Sequence, residues 1–280
     1  MALLAAGPIF GNPSFNALIL SSTVTTDPTA KTPDGSTFSN TSVEEAILLE
    51  QGYTVTLVDG ATWDSMTQAQ FASYSLLVLG DPTAGSVAAV NGTPAELAAA
   101  VANESTWAPI VNGVKLVIGT DPVFHYQDRS GVAGAGKLIQ SGLTLAASGN
   151  GTGLYLDLSD YYNNSASAQD APILDGLEAG FTVSSDVGCD EIVHIVGPGL
   201  PGVMDVDLSN WDCSVHETFA SHPSDFIVLA NDANAGQPYI LEEGPGQVPE
   251  PATLLLLGVG LSGVAALRLR TRQSGSKTSF

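Results

Sequence analysis

The chain has 280 residues, with 29 acidic and eight basic side chains and a formal net charge of −21. All 29 acids but only four of the bases fall in residues 1–250, leaving that stretch a net of −25. Such a surface repels nucleic acid and anionic lipid, disfavours phosphate-rich substrates and takes cations as its natural counterparts. A hydrophobic content of 44% excludes wholesale disorder, and a body of this size is expected to bury one core as one domain.

Residues 1–15 (MALLAAGPIFGNPSF) carry a short apolar stretch broken by Gly7 and Pro8, with no basic residue ahead of it. They read as a signal segment of unusual form, or as a start assigned downstream of the true one, the second being preferred. Residues 16–241 then alternate between two patterns. Ala17–Leu20, Tyr53–Val58, Ser75–Leu79, Val114–Ile118, Leu154–Leu158, Glu191–Val196, Phe226–Ala230 and Tyr239–Leu241 are short apolar or β-branched runs bounded by turn residues, and predict strands. Glu44–Gln51, which stops at Gly52, Pro94–Asn103, which opens on proline, and Val132–Ala147 have helical spacing. Continuously apolar strands alternating with helices predict a mostly parallel sheet covered on both faces. Ligands of such sheets gather beyond the carboxyl ends of the strands. Those ends here include Gly80-Asp81-Pro82 and Gly119-Thr120-Asp121-Pro122.

After a Gly/Pro/acid spacer (242–248), Val248-Pro249-Glu250-Pro251 leads into the 16-residue apolar run Ala252–Leu267, followed by Arg268, Arg270 and Arg272. As a helix the run spans about 24 Å, short of a hydrocarbon core of about 30 Å by an amount that snorkelling arginines can supply. The three arginines predict that this end stays in the cytoplasm with the body outside. Motif, apolar stretch and basic cluster over residues 249–280 resemble the PEP-CTERM sorting signal of Gram-negative bacteria. The resemblance implies export and anchoring in the inner membrane by a transmembrane helix. It further implies cleavage near Val248–Pro251 by the membrane protease exosortase, and delivery to the envelope or an extracellular polysaccharide-rich matrix. In an oxidising compartment the two cysteines, Cys189 and Cys213, are expected to form a disulfide.

The order β-α-β, then a strand ending in Gly-Asp, then a strand ending in a sharp Gly turn, resembles the flavodoxin-like arrangement of class I glutamine amidotransferase-like and ThuA-like domains. That family needs a cysteine nucleophile at the turn occupied here by Gly119-Thr120-Asp121-Pro122. There is no cysteine, and Pro122 has no amide to offer an oxyanion. His216-Glu217 stands where the family's late His and Glu would fall. The resemblance therefore implies a domain without the family's catalysis, serving a binding or structural role, and no catalytic residue is assigned.

The alternative is a metal-dependent hydrolase of the envelope. Asp81, Asp121, His125 and His216 can converge above the sheet, and mixed Asp/His ligation suits zinc or a similar divalent ion. Asp121 and His125 read equally as a local hydrogen-bonded turn. Asp157, Asp160 and Asp170 lie in an acidic stretch that could hold calcium but lacks the EF-hand pattern. Tyr161-Tyr162 either stack on a sugar or anchor their loop, and His194 reads as a core histidine.

Overall fold

Period-two alternation in the strands accounts for the layers. In the computed structural model, which describes residues 15–82, 93–129, 131–162, 167–185, 189 and 192–244, Ala17 and Ile19 of the first strand enter one core cluster, while Leu18 and Leu20 enter another on the opposite face. Leu76/Val78 and Leu77/Leu79 divide in the same way.

The chain runs β1 (Asn16–Leu20), the short hairpin β2 (Ala30–Lys31) and β3 (Thr37–Phe38), α1 (Val43–Glu50), β4 (Thr54–Val58), α2 (Gly60–Ser65), α3 (Gln68–Phe71) and β5 (Leu76–Leu79). A 3₁₀ turn at Ala95–Leu97 leads into α4 (Ala98–Ala102), α5 (Glu104–Trp107) and β6 (Val111–Ile118). A π-helix (Phe124–Arg129), α6 (Ala133–Ala146) and β7 (Thr152–Asp157) follow. The remainder is α7 (Pro172–Asp175), β8 (Thr182–Ser185), β9 (Val193–Ile195), α8 (Asp205–Leu208), β10 (Glu217–Ser221), β11 (Ile227–Asp232) and β12 (Pro238–Glu243).

The main sheet has eight strands in the order β4-β1-β5-β7-β6-β12-β11-β9. The first five are mutually parallel and the last three antiparallel. Helices α1 and α6 pack on one face with Ile47, Leu138 and Leu143 buried, while Trp63, Leu97 and Trp107 from α2, the 3₁₀ turn and α5 close the other. Connections that move toward β4 lie on the α1/α6 face and those that move away lie on the opposite one, as right-handed crossovers require.

An α/β fold with a mostly parallel sheet and helices on both faces is thus present, but its order departs from the flavodoxin sequence 2-1-3-4-5. The chain places β7 between β5 and β6, so the parallel strands run 2-1-3-5-4. Glu242 and Glu243, expected in the spacer, belong to β12, where Glu243 pairs with Lys115 of β6. His194, expected in the core, is exposed on the edge strand β9, beside Asp205 at 3.3 Å. An edge strand presents alternate residues to solvent, and the run's hydrophobicity hid that alternation.

The segment 1–14, the motif Val248–Pro251, the apolar run 252–267 and Arg268, Arg270 and Arg272 lie outside the described residues. Among the described residues no helix is long and apolar enough to cross a membrane.

Candidate metal centre

Strand β6 ends at Ile118, and the turn beyond it is built on Gly119. Its N–H donates to the Tyr239 carbonyl (2.8 Å), and its carbonyl accepts from the amides of His216 (3.2 Å) and Glu217 (3.0 Å). A Cβ at position 119 would lie 2.4 Å from the Glu217 carbonyl oxygen, so only glycine lets β10 approach this closely. Strand β10, which pairs with β8 in a separate two-stranded sheet, is thereby laid over the end of the parallel strands.

Asp121 follows, and Pro122 starts a helical turn in which the Asp121 carbonyl accepts from the His125 amide (3.4 Å). That turn passes into the π-helix, a geometry that recurs at functional sites. Spacing of four residues sets His125 over Asp121, with Nε2 3.1 Å from Asp121 Oδ1. His216 approaches the same oxygen from the other side, with Nε2 at 3.0 Å. One ligating atom from each residue falls within 4.8 Å of the other two. His125 is fully buried, Asp121 is 1% exposed and His216 8%. The Trp211 ring closes the wall, its centroid 5.5 Å from that of His125.

Neither ring nitrogen of His125, nor Asp121 Oδ1, makes a hydrogen bond of acceptable geometry, although all three atoms are buried. Buried polar atoms left this way are costly unless something sits among them. In a tetrahedral zinc site with bonds near 2.0–2.1 Å, neighbouring ligand atoms stand about 3.3 Å apart, a few tenths wider than the observed 3.0 and 3.1 Å. Burial alone would raise the Asp121 carboxyl, but the imidazoles of His125 and His216 outweigh it and hold the group below its usual range.

The surrounding field is negative. Burial pushes the Asp157 and Glu217 carboxyls well above their usual range, and the nearby charges of Asp81 and Asp121 push each further. Of the described bases, Lys115 and Lys137 pair instead with Glu243 and Asp207. A divalent cation is the natural counter-charge for such a pocket.

Asp81 does not join the centre. Strands β5 and β6 are not neighbours, because β7 lies between them, and Asp81 is spent on support. Its Oδ2 accepts from the amides of Val123 (2.8 Å) and Phe124 (3.4 Å), capping the turn that carries Asp121 and His125, while Oδ1 accepts from the Ser159 hydroxyl (2.8 Å). Asp157 is fully buried and accepts from the Ser159 amide (2.8 Å), which removes it from any exposed calcium loop. Tyr161 and Tyr162 are buried and anchor their loop. Cys189 and Cys213 are joined in a disulfide. Sequence reasoning missed Gly119 as the docking point for β10 and Trp211 as the wall; Trp211 stood in view five residues before His216, but an indole carries no ligand signature.

Fold and site together define a mixed α/β body with a buried His₂Asp cluster at the carboxyl ends of its strands. The PEP-CTERM protein-sorting motif matches residues 247–271. The motif marks an exported protein of exosortase-type sorting, held by its C-terminal tail before processing, with exosortase as the processing partner. No curated protein and no solved structure matches the chain, so the amidotransferase-like resemblance finds no support there.

Proposed function

We propose that this chain is an exosortase-processed envelope protein whose body binds one divalent metal, of the zinc class, through Asp121, His125 and His216, in a binding or structural role rather than a catalytic one. Cleavage near Val248–Pro251 releases the body to the envelope or to an extracellular polysaccharide-rich matrix. The observation that carries the metal reading is the convergence of three buried ligand atoms, of which Asp121 Oδ1 and the His125 nitrogens have no hydrogen bond. The metal acts as a clamp. It ties the end of β6 and the π-helix to the start of β10, joining the main sheet to the two-stranded β8–β10 sheet. Near-complete burial of all three ligands favours a closed site over one that turns over substrate.

The test is metal content of the purified full chain by mass spectrometry, with thermal unfolding before and after chelation. One zinc-class ion per chain, lost in His125→Ala, and a melting temperature that falls on chelation are expected. Absence of metal together with melting indifferent to chelator would overturn the reading. A hydrolase remains the second reading, because three protein ligands leave a fourth position open; hydrolysis of ester or amide probes that is abolished in His216→Ala would favour it.

A further inference from the structure

We propose that the Cys189–Cys213 disulfide is the latch of the metal centre, so that the site reaches full affinity only after the chain has been exported and oxidised. This rests on the metal reading above and adds its regulation.

Residues 209–216 join α8 to β10 without regular structure. Asn210 (φ 65°) and Asp212 (φ 71°) both hold left-handed backbone, which Asn and Asp adopt more readily than other non-glycine residues. This one segment supplies both Trp211, against the His125 ring, and His216, the ligand that comes from outside the β6 turn. Ser209 Oγ ties its start to β9 by accepting from the Val193 amide (3.1 Å), and the ties within it are local. The Trp211 amide donates to Ser214 Oγ (3.1 Å), the Trp211 indole to the Asp207 carbonyl (2.8 Å), and the Cys213 sulfur contacts the Val215 carbonyl.

Of its ties to distant chain, two flank the ligand. On one side His216 and Glu217 donate to the Gly119 carbonyl. On the other, three residues before His216, Cys213 is bonded to Cys189, 24 positions earlier. Opening the sulfur bridge removes the covalent tie on the N-terminal side of His216. Supports of metal ligands of this kind carry about 10- to 100-fold in affinity.

Formation of the latch is a thiol–disulfide exchange with a protein disulfide of the exported compartment. One of the two thiolates attacks a sulfur of that donor and displaces its partner sulfur as a thiol. The second thiolate then attacks the mixed disulfide and releases the other donor thiol. Two thiols of this chain become one disulfide, the donor disulfide becomes two thiols, and the two electrons leave with it. In the reducing cytoplasm the exchange runs the other way, so the chain crosses the membrane with its centre unlatched.

Zinc alone is the probe, titrated into the detergent-solubilised full chain against a chromophoric chelator. Three forms are compared: oxidised wild type, the Cys189→Ser/Cys213→Ser variant, and wild type reduced with a phosphine. Both open forms are expected to bind about tenfold more weakly or worse than the oxidised chain. In a His216→Ala background, opening the bridge is expected to cost no further affinity, which separates a latch on His216 from general loosening of the fold. Equal affinity in oxidised and open forms, or the same loss with and without His216, overturns the proposal. If the serine variant does not fold, wild type before and after phosphine reduction carries the comparison. Oxidised wild type that takes up no zinc removes the metal reading itself, whereas tight zinc binding indifferent to the bridge removes only the latch.

Discussion

Glu44 shows how a single buried carboxyl sets a pH dependence for the whole body. It lies in the first turn of α1, where acids usually face solvent, yet it is fully buried. Its Oε1 accepts from the Asp81 amide (3.0 Å), while Oε2 has no hydrogen-bond partner. Burial pushes the carboxyl up from 4.5 to about 7. A folded value above the unfolded one means that the folded state holds its proton while the unfolded chain has already lost it. Stability therefore falls as pH rises from about 4.5 and levels off above about 7. Glu44→Gln keeps an acceptor for the Asp81 amide and removes the titration. Between pH 5 and pH 8 the variant is expected to gain roughly 2–3 kcal/mol relative to wild type, read by denaturant unfolding at the two values. A wild type whose stability is flat over that range would count against it. Nothing in the run VEEAILLE separates Glu44 from Glu45; the difference arises because Asp81 meets one of them and not the other.

At the scale of elements, the centre depends on how closely β10 can lie over the end of β6. Gly119→Ala would place a methyl 2.4 Å from the Glu217 carbonyl oxygen, and backbone cannot yield as a flexible side chain does. The variant is expected to lose about 1–3 kcal/mol of stability and to bind zinc about tenfold more weakly or worse, checked by unfolding and by metal titration. If zinc affinity survives unchanged, β10 is not what positions His216. Asp121 and His125 were legible as a pair because four-residue spacing places side chains on one helical face. His216 was legible only as a residue type, since it stands 91 positions beyond His125 and the intervening chain hides its neighbour. Asp81 misled for a related reason. Consecutive strands usually pair, but here β7 is inserted between β5 and β6, and no local signal in the chain marks that insertion.

For the whole molecule the governing facts are the address and the charge. An acidic body with a PEP-CTERM motif at residues 247–271 is expected to be trimmed in its host. Blotting and intact mass should find the body without the residues after about Glu250 when exosortase is present, and the uncut chain in the inner membrane when it is absent. An uncut chain in both strains would make the tail a plain anchor.

Sequence by itself determined the address, the acidic character, the layered α/β architecture and most of the strands, because each is written in composition or in short-range periodicity. The sorting motif needs no tertiary context, since a protease and a bilayer read it as a linear string. Tertiary structure alone decided the strand order, the burial of Glu44 and the fate of His194. It also decided which acid stands between the two histidines and which supports from behind. Those outcomes depend on contacts between residues tens of positions apart, where the closure of a sheet and the absence of one Cβ at Gly119 choose the neighbours.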